Sequence, residues 1–241
     1  SGLYKSNVTN SGKTTYYFRG DVQNNYVSFA GNIWRIVRIN EDGTIRLIMQ
    51  NGINDNQSYV FNSNYSDYSK MYYSNSEAKT TLENWYNTNI GNNENYSKHV
   101  VNGSYYCEQA KVKFSSAWTS GSATMEEYTN YTPTFKCEMD GNGYGLVNSS
   151  IGLLTYDEAV FAGGYWESEN HNYYLNNQNY FWTLSPAGYS GTYSSDWTIY
   201  PAGSICDSAL FGKRVLRPVI NLKSDTVMVG TGTSADPYVV K

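Results

Sequence analysis

One stretch restricts the fold more than any other: NIWRIVRI at 32–39, NEDG at 40–43 and TIRLIMQ at 44–50. In an extended chain successive side chains point to opposite faces, so a strand with one wet face alternates apolar with polar residues. Residues 32–39 do not alternate. Ile33, Trp34, Ile36, Val37 and Ile39 put apolar groups on both faces, which predicts a central strand covered on both sides. The Asp-Gly pair supplies the positive backbone angles of a tight hairpin. Ile45, Leu47 and Met49 then share one face of the returning strand. Such a chain must build a sheet and pack other elements against it.

The remaining pattern supplies those elements. TTYYFR at 14–19 reads as a first strand, and 51–75 as an Asn/Ser/Tyr-rich loop. In SEAKTTLENWYNTNIG, Ala78, Leu82, Trp85 and Tyr86 form one helical stripe that Gly91 stops. Residues 91–150 read as a long irregular region, in which DGNGYG at 140–145 lacks the full ligand set of a calcium loop and is a plain turn. In LLTYDEAVFAGG, Thr155 and Glu158 make a capping box, Ala159, Val160 and Phe161 an apolar side, and Gly163 with Gly164 the end. NYFWTLSP is a strand, 186–212 is turn-rich, and RVLRPVINLK is a strand in which Pro218 removes a ladder donor. Tyr238, Val239 and Val240 are expected to pair with the first strand and bring the termini together. Two helices beside a small antiparallel sheet make an α+β fold. Neither a repeat nor a linker divides 1–241, so one domain is expected, with Trp34, Ile36, Trp85, Phe161 and Trp182 in its core.

Composition narrows the partners. Hydrophobic residues are 40%, charged residues 16%, and Tyr alone contributes 25, so the chain is polar without being charged and has aromatics enough for a core. Its net charge is −4, and no basic patch stands out, which argues against nucleic acid. No apolar run reaches the roughly 20 residues of a membrane span. The opening SGLYKSNVTN is no signal peptide, so the chain reads as a mature or trimmed ectodomain, attached to a membrane only through an anchor outside it.

Of the three cysteines, Cys107 and Cys137 lie beside aromatic or strand-forming residues, YYCEQAKVKF and PTFKCEMDGN. They read as a disulfide closing a loop of about 30 residues, two buried thiols being the alternative. Cys206 is left over. Metal chemistry is poorly supported: CxxC is absent, and His99 and His171 have no ligand-like spacing. Nor does either histidine accompany a nucleophile motif, no carboxylate pair is recognisable, and no phosphate loop follows a strand. An enzyme is therefore not expected, and neither is a cofactor.

The segment YFWTLSPAGYSGTYSSDW at 180–197 has two halves. Phe181 and Trp182 read as framework. Beyond them Tyr189, Tyr193, Trp197 and Tyr200 alternate with Ser, Gly and Thr and follow no strand or helix period, so these aromatics are expected to be exposed on one face with Phe211. Rigid aromatics among small polar residues are how paratopes are built. The candidate ligand-binding residues are Tyr189, Ser190, Tyr193, Ser194, Trp197, Tyr200, Ser204, Asp207, Phe211 and Lys213. Arg217, beside Pro218, is assigned to structure.

NYVSFAGNIWRIVRINEDGTIRLIM, LENWYNTN, GLLTYDEAVFAGG, FWTLSP and RPVINLKSD…GTGTSADPYVV together resemble a family of secreted or surface-attached bacterial domains that often follow a pilin-like helix. The wider group this is similar to is the C-type-lectin-like fold, including its formylglycine-generating-enzyme-like branch and the variable proteins of diversity-generating retroelements. The resemblance implies two helices packed on a twisted antiparallel sheet, long irregular loops and adjacent termini. It also makes 187–213 the displayed segment. Cys107 and Cys137 lack the closely spaced C-terminal arrangement of the formylglycine-generating enzymes, so that activity is not carried over. The expectation is a noncatalytic, cell-surface domain that binds a protein or glycan. The alternative is a pilin-like structural subunit whose loops contact other pilus subunits.

Overall fold

The computed structural model describes residues 1–110, 121–122 and 131–241. The strands in the first half are β1 (Gly2–Ser6), β2 (Thr15–Arg19), β3 (Tyr26–Phe29), β4 (Asn32–Ile39), β5 (Ile45–Met49) and β6 (Ser58–Val60), followed by helix α1 (Glu77–Tyr86). Next come β7 (Ser104–Cys107), β8 (Gly121–Ser122), β9 (Leu146–Ser149), helix α2 (Tyr156–Ala162) and β10 (Tyr165–Trp166). The last third is β11 (Phe181–Tyr189), β12 (Ser194–Ile199), β13 (Ser204–Ala209), β14 (Lys213–Val215), β15 (Val219–Leu222), β16 (Met228–Val229) and β17 (Tyr238–Val240). The fold is α+β and mostly sheet.

The β4–β5 hairpin forms where the sequence puts it. Asn40 N donates to Thr44 O at 2.8 Å, and Gly43 takes φ 84°, which its missing Cβ permits. β5 flanks one edge of β4, and β2 and β3 share the other. All five residues of β5 are buried, Arg46 included, so the returning strand is covered on both faces rather than one. The first sheet runs β1-β2-β4-β3-β17-β16, with β5 and β15 beyond the far edge of β4. The second runs β10-β13-β12-β11-β14-β6, with β8 against β11. A short β7–β9 ribbon stands apart. Three of the pairings, β10 with β13, β11 with β14 and β17 with β3, are parallel, where an antiparallel sheet was expected.

Several expectations are corrected by long-range packing. Residues 214–223 are not one strand: β14 lies in the second sheet and β15 in the first, so Arg217 and Pro218 are where the chain crosses between them. Arg217 holds that crossing, wholly buried, by donating to the carbonyls of Met49 (3.0 Å) and Leu175 (2.6 Å). Desolvation pushes its pKa down to about 9. β17 pairs with β3, not with residues 14–19, whose outer partner is β1. Nor is 51–75 a mere loop. β6 lies in it, and Phe61, Met71, Tyr72 and Tyr73 are fully buried core side chains. Of the expected irregular region 91–150, the pairing of β7 with β9 is regular, and residues 111–120 and 123–130 lie outside the described residues.

The two helices that the sequence marks, α1 and α2, follow their caps, and Glu94–Ser97 adds a further single turn. Ser76 accepts from Lys79 N at the start of α1. Thr155 and Glu158 form the reciprocal capping box of α2, and Gly163 ends it at φ 124°. Their apolar faces differ from expectation. Trp34, Ile36 and Trp182 are buried, but Trp85 and Phe161 are only half-buried. Phe161 lies on the flank, stacked on Phe135 and tilted against Tyr17, because α2 turns Asp157 and Glu158 inward instead.

Cys107 and Cys137 form a disulfide, Cα atoms 5.7 Å apart, and Cys206 is free. The bridge closes a loop with a sequence separation of 30. Reduction, or Cys137→Ser, should therefore cost about 3–4 kcal/mol in chemical unfolding. Equal stability with and without reductant would show that the bridge does not limit the unfolded chain.

Candidate functional site

The candidate segment folds as strands, not as an irregular loop. β11 and β12 are joined by a tight turn in which the Ser190 hydroxyl accepts from Tyr193 N (3.1 Å) and Ser190 N donates to Tyr193 O (2.9 Å), with Gly191 at φ 89°. The turn ties up the Ser190 side chain and leaves Tyr193 outside, 43% exposed. Phe211, in the turn between β13 and β14, is 51% exposed. Phe211 is the middle ring of three: Tyr65 lies 4.7 Å from it and Tyr193 6.3 Å. Backbone bonds fix this grouping, since Ser194 N donates to Tyr65 O (2.7 Å) and Phe61 N to Leu210 O (2.9 Å). Tyr189 extends the patch, its hydroxyl donating to Ser66 O and its ring 6.4 Å from Tyr68.

The structure thus brings Tyr189, Ser190, Tyr193 and Phe211 together and adds Tyr65 and Tyr68. It separates the rest. Trp197, expected on the surface, is 2% exposed and packs 4.9 Å from Tyr156 of α2. Ser194 and Ser204 are buried strand residues. Tyr200 is half-buried against Tyr180, 4.1 Å away, with the Arg214 guanidinium over the Tyr180 ring. The adjacent Tyr180 hydroxyl, aided by burial, raises its pKa above the phenol range. Asp207 and Lys213 are exposed, but among the described residues no hydrogen bond or ion pair joins either side chain to the patch. The reason is burial on both faces. All six residues of β12 are covered, so polar and apolar residues need not alternate, and the segment shows no period. Within it Asp196 is fully buried, with neither carboxyl oxygen hydrogen-bonded among the described residues, and desolvation pushes its pKa well above the ordinary carboxylate value.

The sequence marks 59–73 as a Tyr-rich alternative location for the site but does not single out Tyr65 and Tyr68, because 51–75 has no period. The available signal was its tyrosine density, FNSNYSDYSKMYY. Behind them the segment is anchored through Tyr72, which stacks on Tyr144 at 3.5 Å and donates to Asp140. That carboxylate also accepts from Asn142 N, Tyr144 N and Ala110 N. Its oxygens order the 140–145 turn and tie it to Tyr72 and Ala110. Among the described residues no three His, Cys, Asp or Glu side chains gather as a metal site. His99 lies edge-on to Phe29 with its pKa lowered by burial, and His171 lies 3.4 Å from Glu169 on the surface. Among the described residues no helix is long and apolar enough to cross a membrane. No family model, curated protein or solved structure matches the chain.

Proposed function

We propose that this chain is a noncatalytic, extracellular ligand-binding domain of the C-type-lectin-like kind, attached to the cell surface through an anchor outside it. Its binding surface is the aromatic patch of Tyr65, Tyr189, Tyr193 and Phe211, and its partner a protein or glycan on another surface. The observation that carries this reading is the exposure of Tyr65, Tyr193 and Phe211, at 42%, 43% and 51%, gathered from separate turns onto one rigid frame. Exposed aromatics held by a sheet lose little entropy on contact, the property that makes such residues anchors of interfaces. The disulfide supports an oxidising compartment. The displayed turn between β11 and β12 is also where retroelement diversification would act on a chain of this kind.

One observation favours the second reading, a pilin-like structural subunit. Edge strand β1 exposes Leu3 (55%) and Tyr4 (45%), and an apolar open edge invites another copy. Two measurements separate these readings. Protein arrays, glycan arrays and whole-cell binding should yield a foreign ligand, and Tyr193→Ala and Phe211→Ala should each weaken it by more than about 2 kcal/mol. Their stability should stay within about 0.5 kcal/mol of the parent. Concentration-dependent self-association in sedimentation, with no foreign ligand, would favour the subunit. Ligand binding unchanged in both variants would remove the patch from the site.

A further inference from the structure

A second site lies apart from the aromatic patch and shares no residue with it. It is a hollow of about 450 Å³ lined by Asn32, Gln50, Asn51, Asp55, Trp85 and Asn89 among others, within the size range of small-molecule sites, about 300–1,000 Å³. Two tight turns form its rim. The β3–β4 hairpin turns through Ala30 (φ 49°) and Gly31 (φ 72°), both left-handed as a two-residue hairpin requires. Opposite it, Asn54, Asp55 and Asn56 are three consecutive left-handed residues, at φ 49°, 55° and 64°. Side chains rarely accept that conformation even once, and strain of this kind persists only where the surroundings over-determine it. Here they do. Ile53 is buried and its N–H donates to Leu216 O, Asn56 Oδ1 accepts from Gly52 N, and Asn54 Nδ2 donates to Tyr59 Oη.

The turn is thus nailed down by its ends, while Asn51 and Asp55 make no side-chain hydrogen bond among the described residues. Asn89 donates from Nδ2 to the main-chain carbonyl of Trp85, and among the described residues its Oδ1 has no recorded donor. Trp85 is only half-buried, and Ile33 on the rim is 40% exposed. No Lys, Arg or His lines the hollow, so it offers an anion no charge. Asp55 is its one carboxylate, so it lacks the cluster of carboxylates that a calcium loop supplies. What it does offer is a half-buried tryptophan beside amides that both donate and accept. A pyranose matches that in both respects: its C–H face packs on an aromatic ring, and its hydroxyls donate and accept in turn.

We propose that this hollow is a binding site for a neutral saccharide unit, with Trp85 as the stacking platform and Asn51, Asp55 and Asn89 as the hydroxyl partners. The test titrates the full chain with cellobiose, maltose, lactose and chitobiose, following tryptophan fluorescence and backbone amide NMR. At least one sugar should give saturable shifts at residues 51–55 and 85–89. Trp85→Ala should weaken binding at least tenfold, and Trp85→Phe should restore part of it. Because Trp85→Ala touches a half-buried position, the exposed changes Asp55→Gly, which keeps the left-handed turn unstrained, and Asn89→Ala serve beside it, each weakening binding severalfold with little change in melting. The proposal is overturned if none of the four sugars gives saturable shifts, if the shifts map elsewhere, or if binding survives all of these changes. Tyr193→Ala should leave sugar binding here untouched, so this site and the aromatic patch stand or fall separately.

Discussion

Glu158→Gln should lower stability by about 3–5 kcal/mol, the usual cost of removing one partner from a buried ion pair. Glu158 lies under the sheet with 2% of its side chain exposed, as does that of Arg46, whose Nε is 2.5 Å from Oε1. Arg38 Nε contacts the same oxygen at 3.1 Å, and Oε2 accepts from Arg46 NH2 and Thr155 N. The glutamine keeps the volume and the acceptor for Thr155 N but leaves two guanidiniums without a counter-charge. Burial alone would raise the Glu158 pKa; Arg46 and Arg38 outweigh it and hold the carboxyl below its ordinary value. Its stabilising share is therefore present at neutral pH and is lost as pH falls through that lowered value. Acid unfolding of the variant should lack this share, so the two stability curves converge at low pH. A parallel offset at every pH would assign the loss to packing rather than charge. Replacing the three charges together (Arg38→Met, Arg46→Met, Glu158→Leu) should recover part of the loss, since an apolar substitute for a buried triad is often neutral or better.

Trp197→Ala should cost about 3–5 kcal/mol, the range for truncating a buried aromatic, and lower the melting temperature accordingly. The indole is 2% exposed and bridges the second sheet to Tyr156 of α2, so its removal opens a cavity at the joint between sheet and helix. Tyr193→Ala, four residues earlier, should barely move the melting curve. The pair is a direct measure of how the segment is folded. Equal, small effects would mean that Trp197 is on the surface after all, and equal, large effects that Tyr193 is part of the core.

Features set by a few neighbouring residues were legible in the sequence. Asn40 to Gly43 make their turn because Gly43 reaches φ 84° without strain. Thr155 and Glu158 cap α2 because the capping oxygens and the orphan amides are three residues apart. Ser76 begins α1, and a strand with apolar groups on both faces had to be central. Cys107, at the end of β7, pairs with Cys137, Cα atoms 5.7 Å apart, as their similar aromatic and strand-forming settings suggested. Arg217 was rightly kept from the surface: beside a proline in a framework stretch, its guanidinium found backbone carbonyls.

Features set by distant partners were not legible. The sequence could mark Glu158 as a cap, but only Arg38 and Arg46, 120 and 112 residues away, make an inward carboxylate tolerable. It could mark Pro218 as a break, but not that the break carries the chain from one sheet to the other. β12 hid its period because both of its faces are covered, and covering is a property of the assembled layers rather than of SSDWTI. For the same reason Trp197 and Tyr193, alike in composition and setting, were divided only by packing. The sequence by itself determined where the backbone turns, caps and pairs locally, because those energies come from groups a few bonds apart. The tertiary structure decided which side chains face water, and so which aromatics can meet a partner, because burial depends on what the rest of the chain brings to the other side.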